Sequence, residues 1–270
     1  MTATAPNRTQ TERADQTRAR ILDAAIQQFS ENGLAGARTE QIAEAAGVNK
    51  ALLYYYFQGK EALYDAALDA VANRVVASGM ATLGTEWSAG ERLVRFALNH
   101  FDRIYSQRAF QSLMQQEMMR LHQGEENALV SLVGKVFRPM MFRVREVFAE
   151  GRDSGELIQT DEMQMYYAAL GANVFYFLSA PVMGLLMGMN PFAPDELEHR
   201  RKVAVEYLGQ TIFADREHGA RVAARVLTAT PMPRTAEFPD GRARGTGIWN
   251  RPVPKKVTDG SRTAKLKHMK

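Results

Sequence analysis

The chain has 270 residues, 46% of them hydrophobic, and no cysteine. That length allows one large or two modest domains with a real core, and the missing thiols exclude disulfides, thiolate zinc sites and cysteine nucleophiles. The net charge of +4 is uneven, at −2 over residues 1–70, −3 over 71–215 and +9 over 216–270, so the N-terminal region can meet a polyanion only through a few placed cations.

A reducing, cytoplasmic setting is expected, and the polar stretch MTATAPNRTQTERADQTR carries no apolar segment of signal-peptide type. Apolar residues recur at helical spacing along most of the chain and strand-like alternation is scarce, so an all-α fold is predicted. Residues 1–12 are expected to be flexible. The first long helix is predicted over Arg13 to Asn32, with Ile21, Ala25 and Phe29 on one stripe and Gly33 as a left-handed stop. A short second helix follows. Thr39 is its expected N-cap, Glu40 suits the positive end of its dipole, and Ile42, Ala43 and Ala46 face inward. Gly47 and Val48 make a corner. Asn49 is placed to cap a third helix from Lys50 to Phe57, and Gly59 separates it from a fourth that starts near Lys60.

Helix, tight glycine turn, helix, with a supporting first helix, is a helix-turn-helix pattern over residues 13–64. At about 100° per residue, Leu53, Tyr56 and Phe57 share one arc of the third helix, while Ala51, Tyr54 and Tyr55 share the other. Outward phenols offer an O–H to a phosphate oxygen and a flat apolar face to a sugar or a thymine methyl. The alternative is that these tyrosines pack against the first and fourth helices.

The stretch ARILDAAIQQFSENGLAGARTEQIAEAAGVNKALLYYYFQGKEAL resembles the N-terminal domain of the TetR/AcrR family of bacterial transcriptional regulators. An ENG-type stop, a Thr-led helix, AGV, Leu-Tyr-Tyr-x-Phe and Gly-Lys-Glu follow one another in that family's order. The resemblance implies a double-stranded DNA operator as partner. It implies phosphate contacts from Thr39 and Lys60, base or phosphate contacts from Lys50 and Ala51, and phosphate and base contacts from Tyr54 and Tyr55. Tyr56 departs from the family's frequent His, and Ala51 is too small to read a base extensively.

Residues 65–227 carry no motif of comparable specificity. Helices are predicted at roughly 60–80, 91–105, 107–122, 128–153, 161–180 and 195–214, with Gly151 and Gly155 ending one and Asp161 capping the next. In outline the region resembles the family's effector-binding and dimerisation domain. Met114, Met118, Phe142, Tyr166, Phe175 and Met183 are soft or aromatic enough to line a pocket for a small apolar effector, with ordinary core packing as the alternative. His100 and His122 read as hydrogen-bonded core or boundary histidines. No charged residue lies between Met163 and Pro194. That run is long enough to raise a membrane span, but Asn173, Ser179 and Pro181 interrupt it and no neighbouring basic run sets an orientation. The reading preferred is a helix facing its own domain and a partner subunit, with Tyr167, Leu170, Val174 and Phe177 on the interface face and the 195–214 helix beside it. A homodimer on a palindromic operator is expected, because one recognition helix reads too few base pairs.

Residues 228–270 are rich in Pro, Gly, Lys and Arg and are expected to be a disordered basic tail, either a phosphate-attracting arm or an inert extension. No metal or cofactor is expected. No HExxH, Walker loop, GxSxG or paired-carboxylate motif is present, so the expectation is a regulator and not an enzyme. A helical adaptor that has lost DNA binding is the remaining alternative.

Overall fold

The computed structural model describes residues 8–124 and 128–233. The expected disordered arm therefore lies, from residue 234 onward, outside the described residues. The fold is all-α, and the nearest approach to sheet among the described residues is an isolated bridge between Leu157 and Phe213.

The chain opens with α1 (Arg8–Gly36), which begins inside the stretch expected to be flexible and breaks at Gly33, where φ is 69° and ψ 175°. Then come α2 (Thr39–Ala46), α3 (Lys50–Phe57) and α4 (Lys60–Ala81). Ile21, Ala25 and Phe29 of α1 are fully buried against Ile42, Leu53, Leu63 and Leu68, which makes these four helices one core. Leu113, Leu132 and Val136 from later helices join that core. The boundary expected at residue 64 falls inside α4, which runs on unbroken beneath the second half of the molecule.

That half contains α5 (Ala89–Ser106), α6 (Arg108–His122), α7 (Ala128–Leu132), α8 (Arg138–Asp153), α9 (Glu162–Met187), α10 (Pro194–Thr211) and α11 (Arg216–Ala229). Between α7 and α8 the chain makes a wider π-helical turn, Val133–Phe137, where one helix was predicted over 128–153. Ser88, Asp161 and Asp215 cap α5, α9 and α11 through side-chain oxygens. Helix α9 outruns its predicted end at 180 and passes through Pro181, with the loss of one backbone donor.

Helix α11 was not foreseen. Its Val222, Ala223 and Val226 are fully buried with Val94, Val147, Leu208 and Phe213. A Cβ on Gly219 would lie 1.9 Å from the carbonyl oxygen of Gly209, so α10 and α11 cross backbone to backbone and only glycine fits. Two arginine contacts, one buried and one with its arginine largely in solvent, tie the C-terminal helices to α5. Arg201 clasps Asp102 through two bonds of 2.7 and 2.8 Å, and Arg225 reaches Glu91.

The two histidines differ. His122 is exposed, with Nδ1 at 2.8 Å from the Met118 carbonyl oxygen. His100 departs from its expectation, because its enclosed Nδ1 has no hydrogen-bond partner among the described residues. Burial pushes its pKa from the ordinary 6.5 down to about 4. The folded state therefore holds a neutral ring, and the unfolded chain takes up the proton first as pH falls. The resulting stability is complete above about pH 6.5 and is lost as pH drops through 6.5 toward 4. His100→Leu is expected to flatten the fall of the urea midpoint across this window; an equal fall in both proteins would contradict the assignment.

Candidate nucleic-acid interface

The corner between α2 and α3 is fixed by local chemistry. Gly47 takes the left-handed conformation, φ 65° and ψ 39°. The Val48 N–H reaches back to Ala43 O and the Gly47 N–H to Glu44 O, each at 3.0 Å, the bonding of a glycine-terminated helix. Val48 packs against the core. Asn49 then caps α3, its Oδ1 accepting the Leu52 N–H at 2.7 Å. At the far end Gln58 adopts φ 53°, one residue before Gly59.

Helix α3 has eight residues and two buried side chains, Leu53 and Phe57. The Arg18 guanidinium lies 5.2 Å over the Phe57 ring, and Tyr56 packs half-buried against the same core. Those anchors fix the rotation of the helix. Tyr54 is 39% exposed and Tyr55 79%, and Lys50 and Ala51 are exposed on the same side. The alternative in which Tyr54 and Tyr55 are core residues is thereby removed.

Three of the six expected contact residues meet one another. The Thr39 and Tyr54 hydroxyls lie 3.3 Å apart, and the Lys50 ammonium sits 5.7 Å over the Tyr54 ring. Tyr55 stands apart, edge-on to Tyr56. Thr39 is the first residue of α2 and not its cap. Arg38 holds the cap position with extended backbone and no side-chain capping bond, which leaves the Thr39 hydroxyl for Tyr54 and Glu40. Lys60 turns toward the end of α1, its ammonium donating to Ala35 O at 3.1 Å. It lines an open cleft with Gln116 and Arg120 of α6.

The sequence alone does not assign two neighbours to the site: Arg38 is not singled out, and Glu40 is expected only as a helix-dipole partner. Arg38 is exposed beside Thr39. Glu40 forms an ion pair with Lys50. The hydrogen bond from Lys50 holds the Glu40 carboxyl below its usual range, and the same bond raises the Lys50 ammonium. Both side chains are exposed, so this contact orients Lys50 more than it stabilises the fold. Arg38 precedes Thr39 in sequence, and a helix start drawn one residue earlier would have put it beside the recognition face.

The six effector candidates do not converge. Met114 packs on the N-terminal core and Tyr166 on the second core. Met118, Phe142, Phe175 and Met183 are exposed. The expected interface stripe also divides. Leu170 and Phe177 are buried in their own protomer and Val174 packs half-buried beside them, whereas Tyr167 is 63% exposed. The outward side of α9 instead carries Phe175, Leu178, Val182 and Leu186. A helix with no charge beyond its first residue shows a stripe but not its direction.

The sequence matches two family models: "Bacterial regulatory proteins, tetR family" over residues 21–67, and "Tetracyclin repressor-like, C-terminal domain" over residues 89–208. The chain belongs to the tetR family. Within it, the chain is 60% identical over 48 residues to the HTH-type transcriptional regulator RutR of Escherichia coli (strain K12), covering 18% of this chain and 23% of RutR. It is 37% identical over 95 residues to the HTH-type transcriptional repressor NicS of Pseudomonas putida, covering 34% of this chain and 45% of NicS. The chain thus spans less than half the length of these curated relatives. Its fold is similar to that of a solved gamma-butyrolactone receptor described as ArpA-like, with a TM-score of 0.60 at 18% identity, covering 81% of this chain and all of that one.

Proposed function

We propose that this tetR-family chain is a homodimeric, sequence-specific DNA-binding transcriptional regulator of the cytoplasm, a repressor that leaves a palindromic operator when a small effector binds. The observation that carries the reading is the outward placing of Tyr54 and Tyr55, with Lys50 over the Tyr54 ring, on a helix anchored by Leu53 and Phe57. Helix α3 enters the major groove. The phenols and Thr39 donate to phosphate oxygens, and Lys50 and Ala51 face base edges. Lys60 adds a phosphate contact from the start of α4, using donors that its bond to Ala35 leaves free. The local net charge is negative, so affinity rests on these placed groups and not on bulk attraction. Two copies place their recognition helices about 34 Å apart, or a multiple of that, along the duplex.

The dimer forms through the outward side of α9, around Phe175, Leu178, Val182 and Leu186, with α10 beside it. Helix α9 is long and apolar enough to cross a membrane, with a mean hydropathy of 1.6 over its most apolar 18 residues. Buried Asn173 and the adjoining Arg200 and Arg201 of α10 favour a protein neighbour over lipid. Effector release is a population shift. Helix α4 conveys it, since its Lys60 end carries the recognition helix and its Gly79 end lies against Phe96 and Met140 of the second core. Repression is the sense suggested by NicS, whose name records a repressor.

Tyr54→Phe combined with Lys60→Gln is expected to weaken binding to a duplex selected from a random pool roughly tenfold to a hundredfold, read by fluorescence anisotropy with an unchanged thermal melt. Unchanged affinity would favour a helical adaptor without DNA binding. Phe175→Asp and, separately, Leu186→Asp are expected to give monomers in sedimentation velocity. Two intact dimers would move the interface away from α9.

A further inference from the structure

Between α5, α9 and α10 lies a cavity of about 380 Å³, within the size range of small-molecule sites. Most of its wall is apolar: Phe101, Met165, Ala169, Ala204 and Leu208 among others. Four polar side chains interrupt it; Thr211 bonds carbonyl oxygens of its own helix and Tyr207 lies largely in solvent, which leaves Asn173 and Arg200, each only partly satisfied by the fold.

The first is Asn173, which is 2% exposed. Its Nδ2 donates to Ala97 O at 3.3 Å. That bond fixes the amide orientation, because a carbonyl oxygen can only accept. Oδ1 is left enclosed with no donor among the described residues. A buried acceptor without a donor is costly, a cost that a ligand donor would remove. The second is Arg200. One of its N–H groups donates to Ala172 O at 3.3 Å, and the guanidinium lies 5.5 Å over the Tyr176 ring. No carboxylate among the described residues forms an ion pair with it. Its neighbour Arg201 is fully engaged with Asp102, so the same turn of α10 holds one neutralised and one uncompensated guanidinium.

We propose that this cavity binds a small organic anion whose apolar body carries one N–H or O–H. The anion pairs with Arg200, the donor fills the vacant Asn173 acceptor, and the body lies on Phe101, Met165 and the alanines of α9 and α10. The apolar wall alone would accept any hydrophobe of suitable size. Arg200 selects for negative charge, and Asn173 selects for a donor at one place on the body. The identification deepens the effector-responsive reading above and rests on it for any consequence at the DNA. Because the site wedges between α9 and α10, an occupant would bear on the elements assigned to the dimer.

The test uses two dyes with one common body. 1-Anilinonaphthalene-8-sulfonate has an aromatic body, one N–H and a sulfonate; N-phenyl-1-naphthylamine lacks the sulfonate. Fluorescence titration of the full chain, without DNA, should show one saturable sulfonate-dye site per protomer. Arg200→Gln should weaken that dye at least tenfold and leave the neutral dye within twofold, and Arg200→Lys should restore part of the loss. Asn173→Leu should weaken both dyes, and Ala204→Phe should abolish both by filling the cavity. Circular dichroism melts show which variants are folded, and the half-buried Arg200 pair decides if Asn173→Leu does not fold. The proposal is overturned if the sulfonate dye fails to bind, if Ala204→Phe leaves binding unchanged, or if Arg200→Gln weakens both dyes equally. A dye that binds here without altering operator affinity leaves the site standing and removes it as the effector site. Failure of the dye leaves the DNA-binding reading untouched.

Discussion

An eight-residue helix cannot persist by itself in water, so α3 exists because Leu53 and Phe57 are held in the N-terminal core. Every other property of the recognition surface follows from that anchoring. With those two side chains inward, the spacing of the helix leaves Lys50, Ala51, Tyr54 and Tyr55 no direction but outward. Gly47 and Asn49 set where the helix begins and at what angle, through backbone bonds that need a left-handed residue and a side-chain acceptor at adjoining positions. The contacts among Thr39, Tyr54, Lys50 and Glu40 then join the start of α2 to the outer face of α3.

The recognition surface has consequences for the rest of the molecule because α4 belongs to both cores. Its Tyr64 is 1% exposed and donates at 2.8 Å to Glu117 of α6, a carboxylate wholly removed from solvent that also accepts from Arg120. Burial, followed by the bond to Glu117, pushes the Tyr64 hydroxyl well above its usual range, so it stays a donor. Breaking such a buried group costs about 3–5 kcal/mol. From α6 as well, Ser112 and Gln116 hold the carbonyls of Phe29 and Ser30, in the turn of α1 that precedes the break at Gly33. The junction is therefore specific and polar, and it joins α6 and α4 to the helix-turn-helix through buried, hydrogen-bonded side chains.

The N-terminal region was legible because its determinants are local. A glycine corner, an asparagine cap and a three-to-four spacing of apolar residues act within one or two turns, so the rotation of α3 could be read from eight residues. The second half obeys longer-range constraints. Helix α11 carries four charged side chains and an early glycine in fourteen residues, and it looks like a poor helix until Gly209 is seen against Gly219. The inward side of α9 is chosen by Asn173 bonding to Ala97 and by Phe177 meeting Phe101, partners more than seventy residues away. The cavity is assembled from single residues on three helices, whereas the methionines and aromatics that looked suited to a pocket scatter over two cores and the surface. Even near the site, one residue of error at the start of α2 hid Arg38, and the ion pair of Glu40 with Lys50 joins residues ten apart.

The central claim is that the exposed phenols of α3 lie against DNA in the complex. Nitration of tyrosines with tetranitromethane, mapped by peptide mass spectrometry, examines it directly. In the free protein Tyr55 and Tyr54 should be modified ahead of buried Tyr64. Adding a selected duplex should protect both while leaving Tyr207, exposed on α10, as reactive as before, and random duplex at equal phosphate concentration should protect far less. Equal modification of Tyr54 and Tyr55 with and without saturating selected duplex would contradict the account.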